Sequence, residues 1–281
     1  MIRTLMKKLG LSREERGNAG RRRDFVAVGF PKTGNTWTRI MLGRYVQQVH
    51  GLEDVPLFDS NEMTELSRSG YRGATGVFTH HPLTWEMQVA RDLSFDNVIS
   101  SFLDKRVIFL TRHPLDTLVS HFMHAKFKVP SAPYPGTLAE FIIDPVYGLD
   151  KLFRFYEVWA SHHADVSEFF LWRYEDVRRD QEGQLKRLLA FLGEEVNEVA
   201  MRDAIQFSSF ENLKAMESSG KKFVYKSSGF DAFGEGPRDD PNAFHIRKGQ
   251  VGGYRDELPA ELVAKLEQRV KSEMPTFFGY S

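Results

Sequence analysis

The sequence predicts an α/β fold with a central, mainly parallel sheet flanked by helices. Short apolar runs recur at 25–30, 76–81, 106–111 and 168–174, and helical stretches with an apolar stripe lie between them. Strands that alternate with helices in this way pair in parallel and are covered on both faces. Ligands of such sheets gather beyond the C-terminal ends of the strands. The chemically suggestive stretches Pro31–Trp37, Thr79–His81 and Arg112–Ser120 each follow or end such a run.

Phe25 to Phe30, bounded by Gly29 and Pro31, reads as a buried strand. Thr36 to Val49 follows as a helix, with Ile40, Met41, Tyr45 and Val49 at helical spacing. Gly51 to Gly73 is polar and irregular, and GVFTHH at 76–81 is the second strand run. Leu83 to Leu103 reads as a helix with a break near Ser94. Arg106 to Thr111 is the central strand, followed by a helix over Leu115 to Lys128 and a loop over Pro130 to Gly136. Leu138 to Ile143 and Leu149 to His162 are helices, and Glu168 to Tyr174 is a strand. Gln181 to Leu192, stopped by Gly193, and Val196 to Phe207 are helices, as is Pro259 to Lys271. Lys221 to His245 is Gly-rich and polar, which suits a lid ordered by substrate or an irregular loop. No repeat or linker interrupts the chain, so residues 24–281 read as one domain behind a tail, 1–23.

The chain has 281 residues, 41% hydrophobic, and zero formal net charge. Residues 1–23 hold eight Lys/Arg against two Asp/Glu, so the tail is +6 and the body −6. Bulk charge excludes a nucleic-acid binder, and any anion site has to be built locally. The absence of cysteine excludes disulfide and thiolate chemistry and suits a cytoplasmic location. No apolar run approaches a membrane span. Ile2, Leu5, Met6 and Leu9 share one helical face, which suits either peripheral contact of residues 1–9 with an anionic membrane or a frayed or packed basic tail.

Between the first strand and helix lies a tight loop, Pro31 to Asn35. Gly34 permits close approach of a ligand, the helix start presents unpaired N–H groups, and Lys32 adds a cation, a combination suited to phosphate. The spacing of Gly29, Gly34 and Thr36 approaches a Walker A loop, but Asn35 replaces its Lys and the cation sits inside the loop as Lys32. At the end of the central strand, Arg112 offers a bidentate fork and Ser120 a hydroxyl. Arg247, Lys248 and Gly249 form a third basic segment.

PKTGNTW at 31–37 resembles the 5′-phosphosulfate loop of sulfotransferases, P-K-[ST]-G-x-T-W. RHPLDTLVS at 112–120 resembles their 3′-phosphate block, R-x-P-x-D-x-x-x-S, with Asp116 capping or holding the turn. RKGQVGG at 247–253 is similar to their R-K-G-x-x-G segment, although Gly253 and Tyr254 stand where Asp and Trp are usual, which leaves the anchoring of this loop open. The resemblance implies a P-loop-like α/β catalytic domain over most of Phe25 to Tyr254. It implies a cytosolic-type enzyme using 3′-phosphoadenosine 5′-phosphosulfate (PAPS), releasing adenosine 3′,5′-bisphosphate (PAP), with no metal. The cofactor would be held by Lys32, Thr33, Gly34, Asn35, Thr36 and Trp37, by Arg112 and Ser120, by Tyr174, Ser208 and Phe210, and by Arg247, Lys248 and Gly249.

Sulfuryl transfer needs positioning, charge stabilisation and a base. Lys32 is the candidate cation for the leaving oxygen. His80, in a Thr-His pair matching the family's K-T-H, is the candidate base, with His81 as its rival and Phe78 in place of the Lys. His80, His81, His121 and His124 make a weak metal set, with no carboxylate or Cys to complete it. Trp37 and Phe210 suit stacking on adenine, and Tyr174 a hydrogen bond to it. Phe122, Phe127, Tyr134, Phe141 and Tyr147 suit either an apolar acceptor pocket or core. The dimer motif of many cytosolic relatives does not follow Tyr254, so no oligomeric state is assigned. Two other classes remain open: a kinase or phosphotransferase with an altered P-loop, and a non-catalytic PAP or PAPS binder.

Overall fold

The computed structural model describes residues 24–52, 73–81, 88–128, 133–220 and 240–281. The basic tail, the start of the expected helix at 83–103, most of the loop over 51–73, part of the loop over 130–136 and most of the expected lid at 221–245 lie outside the described residues.

Four strands, β1 (Asp24–Gly29), β2 (Thr75–Thr79), β3 (Arg106–Thr111) and β4 (Glu168–Arg173), form one parallel sheet in the order β2-β1-β3-β4. The register pairs Val28 with Thr79, Gly29 with Leu110 and Thr111 with Arg173. All four strand ends therefore reach one edge together, and the residues after them share a single rim. Alternation along β1 and β3 splits their side chains between the two faces. Val26, Val28, Val107 and Phe109 join one core, and Phe25, Ala27, Ile108 and Leu110 the other.

Helix α1 (Asn35–His50) covers the second face with Met41, Leu42, Tyr45 and Val46. A short α2 (Phe95–Val98) precedes β3, and α3 (Pro114–Phe127) follows it, with Pro114 at the helix start, where its missing N–H costs nothing. Helices α4 (Leu138–Ile143) and α5 (Leu149–His162) pack on the first face, where α5 supplies Leu152, Phe155, Tyr156 and Trp159. After β4 come α6 (Tyr174–Arg179), α7 (Gln181–Leu192), α8 (Glu198–Phe207) and α9 (Phe210–Ser218). The last helix, α10 (Ala260–Glu273), returns to the first face with Val263, Leu266 and Val270. No described helix is long and apolar enough to cross a membrane.

Two expectations need correction. The break expected near Ser94 is present, but among the described residues of 83–103 the helical segments beside it are reduced to 3₁₀ turns at Ala90–Asp92 and Ser100–Phe102 around the short α2. Leu93 and Ser94 are extended, and Ser94 N–H donates to the Asn97 side chain in a capping box that starts a new helix. Val98, Ile99 and Phe102 still reach the core, so helical spacing of apolar residues persisted across short turns rather than one long helix. Tyr174 is the first residue of α6 and not the last of a strand.

Phe109 is fully buried, with its ring centroid 4.8 Å from that of Trp159, 5.4 Å from Phe278 and 5.8 Å from Phe155. Phe109→Ala is expected to cost about 3–5 kcal/mol through lost transfer energy and a cavity. Ile143→Ala, at a side chain exposed on α4, is expected to stay within about 0.5 kcal/mol. Urea unfolding of both variants checks the contrast.

Candidate active site

The loop after β1 is wound tightly around its own carbonyls. Thr33 donates from both N–H and Oγ1 to the Phe30 carbonyl, at 3.3 and 2.9 Å. Lys32 has φ 77°, a left-handed backbone with positive φ shared, among the described residues, only with glycines. Such a conformation costs of the order of 1–3 kcal/mol outside glycine and aims the side chain where a relaxed loop would not. Gly34 has φ 105°, and a Cβ there would meet the Tyr174 ring at 3.2 Å. Thr38 N–H, donating to the Gly34 carbonyl at 3.0 Å, opens the helical ladder, so the preceding N–H groups of α1 face outward.

One cavity is lined by Lys32, Gly34, Asn35, Thr36, Trp37, His80, Arg112, Ser120, Tyr174, Ser208, Phe210, Arg247, Lys248 and Gly249. Of the expected residues, Thr33 is not part of this wall. Its buried side chain is committed to Phe30 and shapes the loop from behind. The cavity also takes in Asp116, Arg178, His245 and Gln250. Five of these side chains are Lys or Arg and one is a carboxylate, so an electropositive chamber is built within a body of opposite net charge.

Lys32 Nζ lies 3.5 Å from His245 Nδ1. Burial, then the charges of Arg112 and Lys128, lower the Lys32 amine to a pKa of about 7, against a smaller opposing pull from Glu217. His80 Nδ1 is 2.8 Å from the Gly29 carbonyl. A carbonyl only accepts, so Nδ1 carries the proton and Nε2 keeps its lone pair, the form a general base requires. Burial holds the His80 pKa near 4, with the Lys32 and Arg39 charges adding to the fall and the Gly29 bond opposing it. His81 lies outside the cavity, exposed, with its ring 5.8 Å from that of Phe102.

At the far end, the Arg112 guanidinium sits 4.4 Å over the Tyr174 ring and donates from Nη2 to the Gln250 carbonyl at 3.1 Å. Its Nε is buried without a hydrogen-bond partner among the described residues, an orphaned donor of the kind an anion would satisfy. The anchoring of the 247–253 loop comes from Asp116, whose carboxylate accepts N–H bonds from Gly252 at 2.7 Å and Tyr254 at 3.1 Å. The Tyr254 ring stacks on His113 at 4.9 Å, and its hydroxyl donates to Glu267 at 2.7 Å. Gly249 has φ 61°, and a Cβ there would strike the Phe210 ring at 2.4 Å, so loop and ring pack in direct contact.

The remaining wall is aromatic. Trp37 Nε1 donates to the Ser208 carbonyl at 2.9 Å, and its ring meets Tyr174 edge-on at 5.3 Å. Ser208 Oγ donates to the Ile205 carbonyl at 3.3 Å. Of the aromatic residues considered for an acceptor pocket, Phe122, Tyr134, Phe141 and Tyr147 pack on one another at 4.9–6.3 Å. His121 borders this group and Phe30, and the Nδ1 atoms of His121 and His124 are buried without a partner among the described residues. Among the described residues no group of three His, Cys, Asp or Glu is placed to hold a metal ion.

His245 and Glu217 were not read from the sequence as site residues. The buried Glu217 carboxylate, at the end of α9, accepts the N–H groups of His245 at 2.6 Å and Ile246 at 2.8 Å, and pairs with Lys128 at 3.3 Å. An apolar helix stripe ending in a Glu carries no local sign of this; the partners lie far along the chain.

A family model described as "Sulfotransferase domain" matches residues 22–278. The chain is 24% identical over 287 residues to cytosolic sulfotransferase 17 of Arabidopsis thaliana, covering 92% of this chain and 76% of that protein. It is 23% identical to sulfotransferase 2A1 of Rattus norvegicus, covering 90% and 85%. Its fold resembles mouse sulfotransferase SULT7A1 complexed with PAP, with TM-score 0.64, 22% identity, and 92% and 87% of the two chains covered. A retinol dehydratase in complex with androsterone and inactive cofactor PAP matches with TM-score 0.61 and 20% identity, covering 90% and 81%.

Buried neutral histidines dictate an acid dependence. His80 and His113 are lowered to about 4 and His121 to about 3, each chiefly by burial. Their ordinary value is 6.5, so between pH 6.5 and 4 the unfolded chain binds more protons than the folded one and stability is lost as pH falls. The thermal midpoint of the nucleotide-free protein is expected to drop over this window. His121→Gln is expected to flatten the drop in the same scan.

Proposed function

The chain belongs to the sulfotransferase domain family, and on that premise we propose that it moves a sulfuryl group from PAPS to a hydroxyl or amine of a small-molecule acceptor, with His80 as base. The observation that carries this reading is that Lys32 and His80 line the same cavity as Arg112, Ser120, Arg247 and Lys248. PAP in the solved relatives supports the choice of nucleotide. Residues 24–281 act as one catalytic domain.

When bound, PAPS supplies the sulfuryl group and an anionic phosphate as leaving group. The first N–H groups of α1 and Lys32 bind the 5′ end, where the helix dipole and the buried amine favour negative charge. Arg112, Ser120, Arg247, Lys248 and the Gly249 backbone hold the 3′-phosphate. The orphaned Arg112 Nε gives this end a donor already desolvated. Trp37 and Phe210 enclose adenine beside Tyr174, whose ring also seats Arg112. Thr33 and Ser208 act through the shapes they impose, Thr33 on the loop and Ser208 on the Trp37 indole. Lys32 meets charge on the departing oxygen, in a dry site where that charge is worth most. His80 Nε2 takes the acceptor proton. Its low resting pKa keeps it neutral at working pH, and negative charge arriving beside Lys32 raises its basicity, since the Lys32 charge is one cause of the depression.

PAP is expected to raise the thermal midpoint without metal, and AMP, which lacks the 3′-phosphate, much less; stabilisation by ATP with Mg²⁺ alone would favour the phosphotransferase reading. His80→Ala is expected to lose about 10²–10⁴-fold in turnover yet still bind PAP, with partial recovery on acceptors of low pKa that scarcely need a base. Lys32→Ala is expected to lose turnover without that recovery, because the leaving group is unchanged. Steady-state rates across an acceptor series, with PAP titrations alongside, check both.

A further inference from the structure

The cations assigned to the 3′-phosphate are already paired with a carboxylate of the chain. Arg247 Nη1 donates to Glu257 Oε1 at 2.5 Å, and Lys248 Nζ lies 2.6 Å from the same oxygen. Asp256 stands 3.8 Å from Lys248. The Glu257 and Arg247 side chains are both largely buried, at 17% and 15% exposure, so solvent screens this pairing less than it screens a surface ion pair. Lys248 and Arg247 together hold the Glu257 carboxyl below its ordinary range, by bonds that outweigh its burial.

Counting charge at this end gives Arg112, Arg247 and Lys248 against Asp116, Asp256 and Glu257, which balance. Asp116 is spent on two N–H groups, and Asp256 is exposed. Glu257 differs from both: the hydrogen bonds and ion pairs of its carboxylate are with the two cations that the nucleotide would use. Among the described residues it holds no backbone group, so it is not a support for the loop in the way Asp116 is.

We propose that Glu257 is an internal competitor for the 3′-phosphate, a residue that sets how strongly this enzyme distinguishes nucleotides with and without that group. This rests on the assignment of Arg247 and Lys248 to the 3′-phosphate. A phosphate entering beside Arg112 Nε must share or displace the carboxylate, and like charges held close in a poorly solvated place repel by more than at the surface. Part of the attraction of three cations is therefore cancelled, and bound PAP leaves more readily than the cation count implies. The chain tunes release of its nucleotide product with one side chain outside the reacting centre.

The test is calorimetric titration of full-length wild type and Glu257→Gln with PAP and with AMP at one fixed ionic strength. Glu257→Gln is expected to tighten PAP by about tenfold, the effect of 1.4 kcal/mol, and to move AMP by less than about twofold. Glu257→Ala, read the same way, decides the matter if the Gln variant does not fold, with circular dichroism checking each. Weaker PAP binding in a folded variant would mean that Glu257 positions the cations, and equal shifts for PAP and AMP would mean a general electrostatic effect; either overturns the inference. Wild type that binds PAP and AMP alike would instead remove the 3′-phosphate assignment itself, and this inference with it. Wild type that prefers PAP, with no tightening in either variant, would overturn the inference alone.

Discussion

Everything at the site depends on the in-register pairing of four parallel strands. Because Val28 faces Thr79, Gly29 faces Leu110 and Thr111 faces Arg173, the chain leaves the sheet four times at one level. The loop with Lys32, the segment with His80, the turn with Arg112 and the helix start at Tyr174 are thereby neighbours, although they come from distant parts of the sequence. A slip of one residue in any strand would turn its side chains to the opposite face and exchange the two cores, so burial of Val26, Val28 and Phe109 on one side and of Ala27, Ile108 and Leu110 on the other guards the site geometry.

Within that frame the chemistry is governed by desolvation. The chamber gathers cations beside buried groups, and the result is visible in Lys32, lowered to about 7, and in imidazoles that stay neutral. A protein pays for such an arrangement in stability and recovers it when an anion enters. The positive φ of Lys32 belongs to the same account: backbone strain and an uncomfortable charge meet at one residue.

The fold was legible wherever a periodic apolar pattern coincided with punctuation. Gly29 and Pro31 marked the end of β1, Gly193 the end of α7, and the helices at 138–143 and 149–162 fell where their spacing put them. In the 83–103 stretch the break near Ser94 was legible, but the shortness of the turns beside it was not, because Val98 and Phe102 keep helical spacing across turns of three or four residues. At the site, residues in ordered motifs could be read, since loop, strand end and helix start are local. Thr33 was legible as a loop residue but not as one facing away, because its bond to Phe30 depends on how the turn closes. His245, Gln250 and Glu217 were illegible for a different reason. Each acts through partners more than two dozen residues away, such as Glu217 with His245 at a separation of 28, Arg112 with Gln250 at 138 and Lys32 with His245 at 213.

The position of His80 has a consequence for local stability. Among the described strands β2 lies at the margin of the sheet and pairs with β1 alone, and marginal strands open at lower free energy than interior ones. The His80 imidazole, however, reaches across to the Gly29 carbonyl at the end of the interior strand β1. That single bond staples the tip of the weaker strand to the stronger one, past the last ladder pair. The residue that would accept a proton in the reaction is thus also a fastener, and the alignment of its ring is set by the more rigid of the two strands.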